Sequence, residues 1–328
     1  MFLTEHSATI EASLPKGDVH AKMDVFYNPA MISNRNISIL LLNSISNTEM
    51  NLADPLAGSG IRSLRFLVEL KKEKIKTLYV NDLKEQFPKT FLENAHLSKI
   101  TLNPQKIFIT SQDANLFLLS HIGFDYIDID PFGSPNPFLA AAVSKISRNG
   151  ILAITATDTA ALTGTYPKVT KRKYWATPLR NYLMHEIGLR ILIRKIQLQG
   201  IQFDKALIPI LSYHKDHYFR IYLRSEKGKE KCDKILKQHQ YFLFCTACFS
   251  MKVSPYNKEP CSCKKKFQSA GPLWTGALKD QRLITSMKKN NPFPEEQKFL
   301  KLLNEEHDVV GFYDIHTLAK KYRRDIFT

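Results

Sequence analysis

Short apolar runs alternate with amphipathic stretches from Met50 onward. The runs MNLAD, TLYVNDL, KIFITSQDA, FDYIDID and GILAITATD predict five strands, because each is short, apolar and followed by a polar turn. Between them, IRSLRFLVELKK places Ile61, Leu64, Leu67 and Val68 on one helical face, and PNPFLAAAVSKIS predicts another helix. Strands separated by helices indicate a mostly parallel sheet with right-handed crossovers.

The next part of the chain predicts a hairpin at the edge of this sheet. ALIPILSYHKDHYFRIYLRSE fits two strands joined by a polar turn at residues 214–217, and without a helix between them they would pair antiparallel. TPLRNYLMHEIGLRILIRKI, which precedes them, predicts a long amphipathic helix. A mostly parallel sheet that ends in a hairpin is more typical of a Rossmann-like class I methyltransferase domain than of a plain dinucleotide-binding fold.

Three other segments bear on the domain organisation. The opening segment, to about Lys22, predicts an irregular arm or a short hairpin, and ISILLLNSI fits either a helix or a buried strand. SEKGKEKCDK, at residues 225–234, is charged and weakly apolar, which is typical of a linker. We therefore predict an α/β domain with its N-terminal arm over residues 1–228 and a smaller α+β domain over residues 229–328.

The charge balance narrows the class of partner. Lys and Arg number 47 against 31 Asp and Glu, which gives a formal charge of +16. Such an excess attracts a polyanion, and nucleic acid is favoured over a membrane surface because no basic amphipathic helix stands out. A surface that is basic only for solubility is the alternative.

The sequence shows no apolar run of about 18 residues and no signal-peptide pattern, so we expect a cytoplasmic, intracellular protein.

The turn after the first strand of the sheet has the composition of a ligand-binding loop. Asp54 ends the strand, and Gly58 and Gly60 would let backbone amides approach a ligand closely. Ser63 stands where a dinucleotide fingerprint has Gly or Ala, which argues against NAD. A purely structural turn is the alternative interpretation.

Two further loops would meet the same edge of the sheet. Asp82 ends the second strand, where a carboxylate can accept hydrogen bonds from ribose hydroxyls, and Asp113 with Ala114 follows the third strand. Each Asp alone would more often cap a helix or turn. Because open α/β sheets bind ligands at the carboxyl ends of their strands, the three loops together predict a binding site.

The stretch FDYIDIDPFGSP carries the strongest chemical signal. Asp128 and Asp130 fall on one side of a strand, since side chains alternate between its faces. A carboxylate and a fixed backbone carbonyl can accept protons from the exocyclic amine of a nucleobase, which is otherwise a poor nucleophile. Asp130 would be that acceptor, Pro131 would fix the turn, and Phe132 would stack on the base. The alternative is a plain turn after a strand.

Residues 168–175, KVTKRKYW, follow Asp158 and the loop TGTYP. The segment offers basic side chains for phosphate contacts, and Tyr174 and Trp175 as stacking surfaces. A solvated basic loop with a core tryptophan is the alternative.

All five cysteines lie between Cys232 and Cys263. Such clustering argues against a disulfide framework and for a local metal site. Four of them form two closely spaced pairs, which would give a closed, structural Zn²⁺ site: Cys245, Cys248, Cys261 and Cys263.

The sequence resembles the tRNA guanine-N2 dimethyltransferases, which use S-adenosylmethionine to methylate guanine 26 of tRNA. The motifs that carry the resemblance, in this order, are FYNPAMISNRNISI, DPLAGSGIRSLRF, VNDL, DIDPFGSP, TATDTAALTGTYP, RKYWATPLRNYLMHEIGLR and GPLWTGAL. The resemblance covers roughly residues 23–278, most of the chain. The resemblance implies S-adenosylmethionine and structural zinc as cofactors and tRNA as partner, with no membrane and no obligate protein partner.

The resemblance also implies roles for individual residues. Arg35 would contact the methionine carboxylate of the cofactor, and either Arg62 or Arg65 would be a second cofactor residue. Asp82 would bind the ribose, and Asp113 with Ala114 would meet the adenine. Asp130 matches the catalytic carboxylate of the family, and the four paired cysteines match its zinc ligands.

The chain departs from the family at Asn36, where members usually have Asp, so cofactor affinity is in question. Its C-terminal region is also short, which leads us to expect a change in how strongly the chain binds tRNA.

Rival functions are an amino-methyltransferase for DNA or another RNA base, a non-catalytic zinc-containing RNA-binding protein and, least favoured, an NAD-dependent dehydrogenase.

Overall fold

The computed structural model describes residues 1–12 and 27–322. A seven-stranded sheet forms its centre, in the order β5-β4-β3-β6-β7-β9-β8. The pairs from β5 to β7 are parallel, whereas β9 pairs antiparallel with both β7 and β8. The strands are β3 (Met50–Asp54), β4 (Ile75–Asp82), β5 (Ile107–Ser111), β6 (Phe124–Ile129), β7 (Ile146–Ala156), β8 (Lys205–Lys215) and β9 (Tyr218–Lys227). The predicted parallel sheet with a terminal antiparallel hairpin is confirmed.

Helices cover both faces of the sheet and continue into the C-terminal region. They are α1 (Ile32–Ser44), α2 (Ile61–Glu69), α3 (Phe87–Leu97), α4 (Ala114–Leu119), α5 (Leu139–Lys145), α6 (Thr159–Leu162), α7 (Pro167–Tyr174), α8 (Met184–Ile201), α9 (Lys229–Lys237), α10 (Gln281–Lys289), α11 (Gln297–Glu305) and α12 (Ile315–Tyr322). Within the described residues, none of them is both long enough and apolar enough to cross a membrane.

The N-terminal segment that the pattern left open forms a hairpin of β1 (Phe2–Glu5) and β2 (Ala8–Glu11). The rest of the predicted arm, residues 13–22, lies outside the described residues. ISILLLNSI is part of helix α1, which is buried on nearly every side and therefore shows no amphipathic period.

The predicted helix at residues 177–196 begins later, at Met184, and ends at Ile201. Thr177 is not helical because its backbone N–H and C=O pair with Gly271 at 2.8 Å each. This bridge connects the part of the chain that forms the seven-stranded sheet with the C-terminal region.

The C-terminal region contains a three-stranded antiparallel sheet, with β11 (Met251–Ser254) and β12 (Gln268–Trp274) on either side of β10 (His239–Phe244). The predicted linker at residues 225–234 is wrong, since β9 runs to Lys227 and α9 begins at Lys229. Cys232 and Ile235 bury one side of α9 in the same core cluster as α8 and β7. The predicted α+β character of the region is confirmed, and the boundary at residue 228 stays a prediction.

Candidate active site

One cavity lies at the carboxyl ends of three neighbouring strands. β3 ends at Asp54, β4 ends at Asp82, and Asp130 follows β6 directly, so the three carboxylates meet at one edge of the sheet. The cavity volume of about 750 Å³ is within the range of about 300–1,000 Å³ typical of small-molecule sites. The predicted site residues that line it are Arg35, Asp54, Gly58, Arg62, Asp82, Asp130, Pro131 and Phe132.

The glycine turn after β3 provides the close backbone approach that the sequence predicted. Gly58 and Gly60 have φ of 59° and 78°, which disfavours any residue with a Cβ. A Cβ on Gly60 would also lie 2.4 Å from the ring of Phe91. Ser63, the residue that breaks the dinucleotide fingerprint, donates a 2.8 Å hydrogen bond from its hydroxyl to Asp54. The turn therefore lines the cavity at Gly58 and packs against Phe91 at Gly60, with a hydroxyl where the NAD pattern needs a small apolar residue.

Asp54 and Asp82 supply different kinds of carboxylate to the cavity. Burial raises the pKa of Asp54 to about 7, against the attraction of Arg62. Asp82 accepts backbone N–H groups from Gly58 at 2.9 Å and Lys84 at 3.2 Å. Each carboxylate oxygen can accept a second hydrogen bond, so Asp82 retains capacity for two vicinal hydroxyls. The two hydroxyls of a ribose could donate to these acceptor oxygens of Asp82.

The residues predicted to meet the adenine lie outside the cavity wall. Asp113 caps helix α4 by accepting backbone N–H groups from Asn115 and Leu116 at 2.9 and 3.0 Å. Ala114 is buried in the first turn of that helix. The helix cap accounts for Asp113 structurally, and a contact of either residue with the cofactor stays a prediction.

Arg62 connects both acids of the FDYIDID strand. Its guanidinium lies 2.5 Å from Asp130 and 3.2 Å from Asp128, which confirms that the two carboxylates share one side of the strand. Arg220, on β9, binds Asp128 through both carboxylate oxygens at 2.8 and 2.7 Å. Burial alone would raise the pKa of Asp128, but Arg220 and Arg62 lower it below its ordinary value. Asp128 therefore fixes two arginines behind the cavity, and Asp130 remains at its edge.

Arg35 lines the cavity and is fixed by the N-terminal hairpin. Glu5 accepts hydrogen bonds from Arg35 at 2.7 and 2.5 Å, from Arg65 at 2.6 Å and from the Tyr27 hydroxyl at 2.8 Å. Arg65 is fully buried, also pairs with Glu69 and is not part of the described cavity wall. Between the two arginines that the sequence could not separate, the geometry favours Arg62 as the cofactor residue.

The turn that follows Asp130 is held by the end of β7. Gly133, with φ of 83°, donates its N–H to the Thr157 hydroxyl at 2.7 Å and accepts the Thr157 N–H at 2.9 Å. Pro131 is buried, whereas Phe132 is 48% exposed on the cavity wall. A ring in this position is accessible to a planar ligand that enters beside Asp130.

Asp158 does not line the cavity but orders the helix that follows it. Its carboxylate accepts the Tyr174 hydroxyl at 2.6 Å, and Lys173 lies 3.4 Å away. Tyr174 is fully buried, so the expectation that it offers a stacking surface is wrong. Trp175, by contrast, is 51% exposed.

The four paired cysteines converge as the spacing predicted. Their sulfur atoms all lie within 4.8 Å of one another, close to the separation of about 3.8 Å expected in a tetrahedral zinc site with 2.3 Å bonds. A hydrogen bond from the backbone N–H of Cys263 is the main cause that lowers the pKa of the Cys261 thiol to about 6. A lower pKa favours the thiolate, which is the form that binds zinc. The set can hold one structural zinc ion, in which Cys245, Cys248, Cys261 and Cys263 leave no open coordination position. Cys232 lies apart, on α9.

Sequence reasoning missed Glu5, Tyr27, Asn34 and Arg220. Asn34 accepts a hydrogen bond from Arg62 at 2.9 Å, and Tyr27 lines the cavity. Arg220 had a signal, because a charged residue within the apolar strand YFRIYL needs a buried partner. Glu5 had none, since its partners lie 30 and 60 residues further along the chain.

Comparison with known proteins identifies the family. The family model described as N2,N2-dimethylguanosine tRNA methyltransferase matches residues 4–326. The chain belongs to this family. The predicted resemblance is thereby confirmed over nearly the whole chain rather than over the motif region alone.

Individual relatives agree with this assignment. A tRNA (guanine(26)-N(2)/guanine(27)-N(2))-dimethyltransferase from Aquifex aeolicus is 40% identical, over 96% of this chain and 83% of its own length. A tRNA (guanine(26)-N(2))-dimethyltransferase from Methanothermobacter thermautotrophicus is 35% identical, over 98% of this chain and 87% of its own. The structure of Trm1 from Pyrococcus horikoshii in complex with S-adenosyl-L-methionine superposes with a TM-score of 0.87 at 32% identity, covering 98% of this chain and 88% of that one. The family and its fold are thus shown from both sequence and structure.

Proposed function

We propose that the protein transfers methyl groups from S-adenosylmethionine to the exocyclic N2 of guanine 26 in tRNA, giving mono- and then dimethylguanosine. The observation that carries the proposal is Asp130, which lies at the edge of a cofactor-sized cavity beside the exposed ring of Phe132. Family membership supports the substrate, and the charge of +16 suits a polyanion. We propose an intracellular, cytoplasmic site of action, in keeping with such a substrate.

The cavity residues fit the cofactor by their chemistry. Arg35 and Arg62 offer guanidinium groups to a carboxylate, Asp82 offers acceptors to a ribose, and the Gly58 turn allows close backbone approach. Bound S-adenosylmethionine would supply a methyl group already activated on a sulfonium sulfur. The protein then contributes alignment, exclusion of water and acceptance of the amine's protons.

Asp130 is the proton acceptor in this proposal. Arg62 pairs with its Oδ2 at 2.5 Å, which orients the carboxylate and leaves Oδ1 for an N–H of guanine N2. Each transfer forms one N–C bond, and N2 loses one proton to Asp130 or to water beyond it. Guanine must leave its stack to reach this position, at a cost of about a few kcal/mol, and Phe132 would offset part of that cost by stacking.

The proposal is tested with unmodified tRNA transcripts, labelled S-adenosylmethionine and mapping of the modified nucleoside. We expect N2,N2-dimethylguanosine at position 26 and no methylation at that position in a transcript with adenosine there. Because the Aquifex relative acts at guanines 26 and 27, a transcript with guanosine at both positions shows whether the neighbour is also modified. Label in DNA or at another base would replace this proposal by another amino-methyltransferase, and RNA binding without cofactor binding would favour a non-catalytic protein.

A further inference from the structure

Helix α7 presents one buried and one basic face. Thr170 and Tyr174, one turn apart, are fully buried, whereas Lys168, Lys171 and Arg172 are exposed. The Thr170 hydroxyl also donates to the carbonyl of Ala161. Burial of one face fixes the helix on the fold, so the three cations project from an ordered surface and not from a flexible loop.

The buried side of α7 is attached to the catalytic turn. The Tyr174 hydroxyl lies 3.0 Å from the Ser134 hydroxyl, four residues after Asp130. Asn136 donates a 3.0 Å hydrogen bond from its side-chain amide to the carbonyl of Lys173. These contacts fix the basic face next to the mouth of the cavity into which a target base would be inserted.

Trp175 ends α7 in an unusual conformation. Its φ of 54° and ψ of 38° are left-handed, a state that costs a side-chain-bearing residue about 1–2 kcal/mol. Lys195 places its Nζ 3.2 Å from the centre of the indole, yet the side chain is 51% exposed. One ring face is therefore covered by a cation and much of the rest meets solvent. The left-handed cap ends the helix and leaves the half-exposed indole beside the basic face.

We propose that α7 and Trp175 bind the tRNA strand next to the target guanosine. In this arrangement, which rests on the proposed function, Lys168, Lys171 and Arg172 contact the flanking phosphates. Trp175 stacks with its open face on a neighbouring base that loses its stacking partner when the guanine is flipped out. The surface thus binds an unstacked strand, because only in that form are the faces of the RNA bases accessible to aromatic side chains.

Tryptophan fluorescence gives a direct test of the stacking contact. The chain contains two tryptophans, and Trp274 is 4% exposed, so quenching by bound tRNA should come from Trp175. Titration with unmodified tRNA, without cofactor, should quench the wild-type signal saturably, and Trp175→Phe should abolish most of that quenching while binding remains close to normal. Saturable binding by an independent assay with no wild-type quenching, or equal quenching in Trp175→Phe, would overturn the stacking contact.

Kinetics test the surface as a whole. We expect Trp175→Ala to raise the KM for tRNA about tenfold with an unchanged KM for S-adenosylmethionine, and Lys171→Gln/Arg172→Gln to lower the salt dependence of tRNA binding by about two phosphate contacts. The matched control is Lys71→Gln/Lys72→Gln, because these exposed residues precede β4 and so lie at the opposite edge of the sheet. Trp175→Phe, which keeps a ring, guards against a folding defect in the alanine variant.

The outcomes separate the two proposals. If Trp175→Ala and the Lys171/Arg172 variant bind and methylate tRNA like the wild type, the surface is wrong while the methyltransferase function stands. If the wild type binds tRNA through this surface but transfers no methyl group to it, the function is wrong while the surface stands.

Discussion

Arg62 Nη2 lies 2.5 Å from Asp130 Oδ2, and Arg62 Nη1 lies 3.2 Å from Asp128. One buried guanidinium therefore links the carboxylate at the cavity edge to a carboxylate that is fully buried behind it. Since Arg220 also binds Asp128 in two places, the position of Asp130 depends on strands β6 and β9 together. Rigid support of this kind is what alignment of a methyl acceptor requires.

Asp130→Asn should abolish proton acceptance while keeping the shape of the site. We expect methyl transfer to fall by about 10²–10⁴-fold, with S-adenosylmethionine affinity within about twofold of the wild type. Single-turnover methylation and calorimetric cofactor titration measure the two quantities separately. Asp233→Asn, at an exposed position of α9, is the control and should leave both unchanged. Full turnover by the Asp130 variant would remove this residue from the mechanism.

Arg62→Lys and Arg65→Lys should affect different properties of the protein, the first catalysis and cofactor binding and the second stability. A lysine at position 62 cannot reproduce the fork that joins Asp128 to Asp130, so we expect kcat to fall about 10–100-fold, with weaker cofactor binding. Arg65 contacts Glu5 and Glu69, away from the cavity wall, and its variant should lose about 1–3 kcal/mol of stability but retain cofactor affinity. Measurements of cofactor Kd and denaturant midpoint for both variants decide the assignment, and the reverse pattern would make Arg65 the cofactor residue.

Glu5→Gln should show whether the hairpin supports Arg35. Burial alone would raise the pKa of Glu5, but Arg35 and Arg65 lower it to about 2 from 4.5. A lowered carboxyl pKa stabilises the fold above the unfolded value and loses that effect as the pH falls toward 2. The variant should therefore lose about 3–5 kcal/mol near neutral pH, with a gap to wild type that narrows below about pH 4.5.

The same variant should also weaken cofactor binding, because Arg35 loses the partner that orients it. Glu11→Gln is the control, since Glu11 is exposed on the other strand of the hairpin. Denaturation midpoints between pH 3 and 8, with cofactor titration at pH 7, supply both readings. A gap that stays constant with pH would contradict the ion-pair account.

Local pattern was enough for the elements that carry the chemistry. The alternation in FDYIDID placed Asp128 and Asp130 on one side, and Arg62 contacts both. The glycine turn was predictable because few residues other than glycine adopt the positive φ found at Gly58 and Gly60. These features depend on neighbours in sequence, which is where periodicity and turn chemistry act.

Features decided by distant contacts could not be predicted in this way. Helix α9 resembled a linker because only Cys232 and Ile235 of its nine residues are buried, and the core that covers them comes from other elements. The partnership of Glu5 with Arg35 and Arg65 joins the N-terminal hairpin to two helices. Tertiary packing overrides local propensity in such cases.

Asn36→Asp, which introduces the residue that the family resemblance leads us to expect there, should destabilise this chain. Asn36 is fully buried and donates from its amide to Glu295 at 2.9 Å and Glu296 at 3.3 Å. It does not line the described cavity; an effect on cofactor affinity stays a prediction, and the buried contacts add one on stability. A buried aspartate beside two glutamates should cost about 2–4 kcal/mol at neutral pH.

Thermal unfolding and cofactor titration check this prediction, with Asn290→Asp at an exposed position as the control. An equally stable Asn36→Asp variant would contradict the expected repulsion between the new carboxylate and the two glutamates.

Removal of one zinc ligand should separate metal binding from the rest of the fold. Cys245→Ser takes one sulfur from a group whose members lie within 4.8 Å of one another, so we expect about one zinc per chain in the wild type and almost none in the variant. Cys232→Ser is the matched control, because Cys232 is buried in α9 apart from that group. Since metal-binding energy contributes to folding energy, the Cys245 variant and the chelator-treated wild type should melt at a lower temperature. Elemental analysis and thermal unfolding test both points, and a Cys245 variant that keeps its zinc and its Tm would exclude this cysteine as a ligand.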